Sequence, residues 1–183
     1  MLAIQESDDL PGYPAAWSGT GPDDSHYRYV LWWLTGQGDP ARYMVAIGCN
    51  PSTATETKTD PTVARWIRWA RLWGFGAVAV LNRFAFRTPH PSVMRAAVDP
   101  VGPENPDWIV QVGRRASFAL ASWGNIGAGD DDAFAAAWTA AGCPPLHCLG
   151  ITGSGAPIHP LARGKNRVPD DVVPTLWTPA GRG

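Results

Sequence analysis

The sequence predicts an α/β fold: a three-layer α/β/α sandwich around a central, mostly parallel four-stranded sheet, with an N-terminal β-hairpin extension. Three observations predict it. Short apolar runs of strand length alternate with segments whose apolar residues recur at helical spacing. These runs are bounded by Gly, Asn and Pro, which turn the chain. A composition of 45% hydrophobic residues with ten tryptophans in 183 residues supplies one substantial core, and so one domain over residues 27–183.

Residues 1–26 are rich in Pro, Gly and Asp without a period and read as an irregular lead-in. Tyr27–Leu34 and Arg42–Gly48 are β-type runs around the turn-forming stretch Gly36–Pro40, and are expected to enter the sheet as a hairpin. Asp60-Pro61 starts a helix, because an Asp side chain accepts from the free N–H groups of a first turn and Pro suits the first helical position. Val63, Trp66, Ile67, Ala70 and Trp73 follow at helical spacing, and Gly74 stops it. Gly76–Asn82 has the pattern of a strand covered on both faces. Asn105-Pro106 opens a helix reaching Arg115, and Ser117–Trp123 is the next strand. Asp130 begins an Ala-rich helix ending at Gly142, and the helix dipole accounts for Asp130, Asp131 and Asp132 without a metal. Leu146–Gly150 is the last expected strand, since Gly153–Leu161 holds too much Gly and Pro for regular structure.

Composition excludes some classes of function. A net charge of −1 rules out nucleic-acid binding through global basicity but leaves room for a local patch. Cys49, Cys143 and Cys148 form no CxxC pair, so neither a disulfide framework nor a zinc ribbon is indicated, and no metal or cofactor is expected. No stretch approaches the roughly 18 continuous apolar residues of a membrane helix, and Met1–Trp17 lacks a basic segment followed by an apolar run. A cytoplasmic protein with no membrane partner is expected. Ser52, Ser154 and His147 make no nucleophile signature, and Gly153-Ser154-Gly155 lacks the Lys-Ser/Thr of a P-loop.

Parallel strands joined by right-handed crossovers release their loops along one edge, where open α/β sheets bind ligands. That edge should collect Asn50, Asn82, Trp123 and the His159 loop. Gly48 permits close backbone approach, and Asn50-Pro51-Ser52 fixes a turn after the first parallel strand; a simple turn explains it equally well. Asn82 ends an apolar run and precedes Arg83, Phe84 and Arg87, so a carboxamide, an aromatic ring and cations arrive together. A carboxamide offers the donor and acceptor that match a nucleobase edge, while an aromatic face stacks on the ring; the bland alternative is an Asn capping the next turn. His159 lies in the rigid Pro157-Ile158-His159-Pro160 segment, followed by Arg163, Lys165 and Arg167. Such a loop suits charge stabilisation by His and phosphate contacts by the cations, or else is a solvated basic loop.

Tyr27-Arg28-Tyr29, Asn50–Ala54, Asp60-Pro61-Thr62, Asp99–Pro103 and Gly155–Leu161 together resemble an uncharacterised bacterial and phage family, domain of unknown function 1643, over Tyr27 to Leu161. A more distant likeness is to the uracil-DNA glycosylase superfamily. Gly48-Cys49-Asn50-Pro51 resembles its first motif, Val80–Arg87 its second strand with a base-recognising Asn, and His159-Pro160 the opening of its final motif. The resemblance implies that fold and cleavage of the N-glycosidic bond of a base flipped from DNA. By it Asn50 positions water, Asn82 reads the base edge, Phe84 is a stacking candidate and His159 stabilises charge on the departing base. The final motif lacks the Ser-Pro that follows His-Pro in that superfamily, leaving Leu161 as candidate wedge. The cysteines fall short of the four that some relatives use for an iron–sulfur cluster.

The expected function is thus a DNA glycosylase-like N-glycosidic hydrolase with DNA or a nucleotide as its partner. The alternatives are an N-glycosidase or transferase acting on free nucleotides and a non-catalytic nucleic-acid or protein-binding module of the same fold.

Overall fold

The computed structural model describes residues 16–19, 26–55 and 57–179. Chain order is β1 (Ala16–Gly19), β2 (Val30–Leu34), β3 (Tyr43–Gly48), α1 (Pro61–Leu72), β4 (Ala77–Asn82), α2 (Pro91–Ala96), α3 (Asn105–Arg114), β5 (Phe118–Ala121), α4 (Gly124–Gly127), α5 (Asp131–Ala140), β6 (Leu146–Cys148) and β7 (Thr175–Leu176). The strands form one sheet in the order β1-β2-β4-β3-β5-β6-β7.

The sheet is mixed and larger than expected, with seven strands among the described residues rather than four. The run β4-β3-β5-β6 is parallel, while β1, β2 and β7 add antiparallel edges. The hairpin expected from Tyr27–Leu34 and Arg42–Gly48 does not form. Instead β4 lies between β2 and β3, antiparallel to one (Leu31 opposite Val80) and parallel to the other (Ala46 opposite Val80). The β2–β3 connection therefore passes over the start of β4. Thr35 N–H donates to Gly76 O at 2.9 Å, Gly76 N–H donates to Arg42 O at 3.0 Å, and a Cβ on Gly76 would sit 2.2 Å from the Asp39 carbonyl oxygen. The glycine expected only to bound a strand is what lets the crossing chain approach. Of the expected lead-in, residues 16–19 pair with β2, and residues 1–15 and 20–25 lie outside the described residues. Strand β7, in a tail where no strand was expected, pairs with β6.

Every residue of β3 and β4 is buried, so successive side chains feed two cores. On one face Met44, Ala46, Val78 and Val80 meet Val63, Trp66, Ile67 and Trp69 of α1, with Ile158 and Val168 from the C-terminal loop. On the other, Val45, Ile47, Ala79 and Leu81 meet Val112 of α3, Trp138 of α5, Trp123 and Trp177. Helices thus cover both faces. Helix α1 begins as its sequence dictates: Asp60 Oδ1 accepts from Val63 N–H at 2.8 Å and Pro61 opens the first turn.

Candidate functional site

A cleft of about 460 Å³ opens at the carboxyl end of the parallel strands. The chain leaves β3 toward β4 on one side, and β5 later joins β3 on the other, so the ends of β3 and β5 form a topological switch point. Gly48, Cys49 and Asn50 from β3, Asn82 from β4, Trp123 and Gly124 after β5, and His159 and Leu161 from the C-terminal loop line this cleft with Ser52.

Asn82 is buried, with 4% of its surface exposed, and its side-chain amide has no hydrogen-bond partner among the described residues. Both its donor and its acceptor are therefore open to a ligand on the cleft wall. Gly48 makes the seat. A Cβ there would lie 2.8 Å from Asn82 Oδ1 and 3.0 Å from Trp66 Cη2. Trp66 is itself held by donating from Nε1 to Ser122 Oγ at 3.1 Å. The end of β4 is tied by Asn105 Nδ2, which donates to the carbonyls of Asn82 and Arg83 at 3.1 and 3.2 Å.

Asn50 is committed differently. Its Nδ2 donates to Thr88 O at 2.7 Å, Pro51 O at 3.0 Å and Phe86 O at 3.4 Å. With the amide nitrogen spent on the backbone, Oδ1 is the half left to accept from a ligand or water. Pro51 is buried, and its carbonyl also receives Thr88 N–H at 2.9 Å, so the turn is rigid.

His159 Nδ1 accepts from Leu161 N–H at 3.1 Å. An acceptor at Nδ1 sets the neutral tautomer with its hydrogen on Nε2. Burial pushes the pKa of His159 below 6.5 against the opposing pull of the Asp60 carboxylate, so the ring is a neutral donor at neutral pH. Gly124, at φ 66°, brings the chain after β5 within reach: a Cβ there would meet His159 Cβ at 3.1 Å. Arg65 pins the loop from α1, donating to Pro160 O at 2.5 Å and Val168 O at 2.8 Å and pairing with Asp170 at 2.9 Å. Pro160 is buried, whereas Leu161 is exposed at the cleft's edge.

Strand periodicity separates Asn82 from its neighbours. Asn82 follows Val78 and Val80 onto the α1 face, so Arg83 points to the other. There its guanidinium stacks over Trp123 at 4.9 Å and Phe134 at 4.6 Å and pairs with Asp131 at 2.6 Å, with only 9% of the side chain exposed. Arg83 is thus a strut between β4 and α5 and does not sit on the rim. Phe84 is half-buried and does not line the cleft; its N–H is bound to Cys49 O at 3.0 Å. The aromatic lining comes from Trp123 and Trp66. Arg87 is exposed and donates to Ser52 O at 3.4 Å, and Arg163, Lys165 and Arg167 are exposed on the loop that follows cleft-lining Leu161 and Ala162.

Sequence reasoning missed Asp60, Trp66, Arg28 and Cys49 as cleft residues. Asp60 was legible only as a helix cap and Trp66 only as core. Arg28, 3% exposed, donates from Nη1 to Ala54 O. Burial pushes the Cys49 thiol up to about 11 despite Arg95 and Arg83, so it is protonated at neutral pH and no ready nucleophile. Among the described residues no three His, Cys, Asp or Glu side chains gather as a metal site, and no helix is long and apolar enough to cross a membrane.

These features define a mixed α/β protein whose sheet edge carries a cleft of two amides, an imidazole and indole rings. The chain belongs to the family described as protein of unknown function DUF1643, whose model matches residues 28–161. That match takes in Asn50, Asn82 and His159. No curated protein and no solved structure is matched by the chain.

Proposed function

We infer that the protein is a DNA glycosylase-like hydrolase that takes a flipped base into this cleft and cleaves its N-glycosidic bond. One observation carries the reading: the Asn82 amide, without a hydrogen-bond partner among the described residues, shares a cleft with Asn50 and a neutral His159. An amide with both functions open matches the adjacent donor and acceptor on a base edge, and an indole wall suits a planar ring. The parallel order β4-β3-β5-β6 with helices on both faces supports a uracil-DNA glycosylase-like layout.

The chemistry follows from the free atoms. Asn50 Oδ1 accepts from a water and aims its oxygen at C1′. As the C1′–N bond breaks, its electron pair passes to the base, and His159 Nε2–H donates to the base oxygen that gathers the charge. A neutral donor suits this role, since it needs no proton to be lost or regained. Arg87, Arg163, Lys165 and Arg167 supply exposed cations for the flanking phosphates. The cleft is large enough for a base with substituents.

The test incubates the purified protein with duplex and single-stranded oligonucleotides carrying uracil, mismatched thymine or hypermodified pyrimidines, and measures abasic sites. Excision that falls about 100-fold or more in Asn82→Ala and His159→Ala supports the reading; no abasic product anywhere in the panel overturns it. The presence of Arg28 in the cleft favours a second reading, a free nucleotide whose phosphate meets that guanidinium. Binding that weakens steeply with salt points to DNA, and a shallow response to a nucleotide.

A further inference from the structure

The hydrolysis proposed above leaves one proton without a destination. Water must lose it as oxygen bonds to C1′, and Asn50 can orient that water but, being an amide, cannot take the proton. Among the residues lining the cleft one carboxylate is present, Asp60. Its Oδ1 is occupied as the α1 cap, accepting from Val63 N–H at 2.8 Å. Its Oδ2 has no hydrogen-bond partner among the described residues. The cap bond fixes the plane of the carboxylate, so the second oxygen is held in one direction without the entropy cost of ordering it. Asp60 also lies near enough to His159 for its charge to act on the imidazole.

We propose that Asp60 is the general base of this cleft, its Oδ2 taking the proton from the water that Asn50 orients; this assignment rests on the N-glycosidase reading. Atoms balance: the water oxygen bonds to C1′, the water proton goes to Asp60, and the C1′–N electrons leave with the base. That proton then passes to the departing base or to solvent, and the carboxylate is restored.

Asn caps helices about as well as Asp and Gly loses only a few tenths of a kcal/mol, so the two roles separate. Asp60→Asn should keep the wild-type melting temperature and affinity for an oligonucleotide bearing a non-cleavable 2′-fluoro analogue of the excised nucleotide. Its single-turnover excision rate should fall about 100- to 10,000-fold. Asp60→Gly should regain part of its lost rate when formate, a small carboxylate, is added. If the wild type excises and Asp60→Asn stays within about threefold of it, the assignment fails while the reading stands. A slow Asp60→Asn that has lost binding and stability in proportion, with no formate rescue of Asp60→Gly, makes Asp60 a cap only and also overturns it. If the wild type yields no abasic sites, the N-glycosidase reading falls and this assignment with it.

Discussion

Adding one methyl group at Gly48 tests how the cleft is built. In Gly48→Ala the new Cβ would lie 2.8 Å from Asn82 Oδ1 and 3.0 Å from Trp66 Cη2, each short of the ~3.3–4.0 Å of ordinary contacts. Trp66 has little room to yield, being 3% exposed and held to Ser122. Among the described residues nothing bonds the Asn82 amide, so it is the group that turns away. Small-to-large changes in packed sites cost roughly 1–3 kcal/mol, and a side chain able to rotate places this one in the lower half, about 1–2 kcal/mol. At roughly 2–4 °C per kcal/mol for a chain of this size, the melting temperature should fall by about 2–8 °C. Ligand binding should suffer more. Two base-edge hydrogen bonds contribute about 1–3 kcal/mol, so affinity should drop about 5- to 150-fold. Thermal unfolding and titration with whichever nucleobase or oligonucleotide the wild type binds measure the two effects. A Gly48→Ala variant with unchanged melting temperature and affinity would refute the placement of Asn82 against Gly48.

Four other expectations concern charge. Arg83→Ala should destabilise by about 3 kcal/mol or more, since it strands Asp131 in a largely buried pair and removes two ring contacts, yet leave the salt dependence of DNA binding unchanged. Replacing Arg163, Lys165 and Arg167 together with Ala should instead flatten the salt slope by about 1 for each phosphate that is no longer neutralised, and an unaltered slope would remove these cations from the interface. The His159 ring should titrate below 6.5 by NMR. Because its folded value is the lower one, stability is full above 6.5 and declines as pH falls through the folded value, a decline that His159→Gln should lessen. A midpoint at or above 6.5 would contradict the buried, neutral ring. Moving the Cys49 thiol from 9.0 to about 11 lowers its thiolate fraction at neutral pH about 100-fold, so iodoacetamide should label it slowly at pH 7.5, as read by peptide mass spectrometry. Labelling as fast as an ordinary exposed thiol would contradict a desolvated sulfur beneath the cleft.

What the sequence revealed was mostly local chemistry. The Asp60-Pro61 start, the helical spacing through Trp73 and the wholly buried Ala77–Asn82 run are each written within a few residues, and α1 and β4 form there. Pairing order is not local. That β2 lies beside β4 depends on Gly76 admitting the Asp39 turn, a contact between residues 37 positions apart, and β7 is a two-residue strand that only β6 makes regular. The carboxyl-edge rule expected Asn50, Asn82, Trp123 and His159 on one edge, and all four line one cleft. It gave no side-chain direction, and alternation along the chain sent Arg83 to the opposite face while Phe84 stayed off the cleft wall. Asp60 and Trp66 escaped because a residue with a sufficient structural explanation shows no second one in sequence.

In the proposed reaction a nucleobase meets Asn82 and His159 at once. Side-chain amide and imidazole NMR signals, followed while uracil, thymine, cytosine or a 5-substituted pyrimidine nucleoside is added, test this most directly. The Asn82 NH₂ and His159 Nε2–H resonances should shift together and saturate at one ligand concentration. Signals that stay fixed across the series, or that move with separate saturation curves, would contradict a shared base-binding cleft.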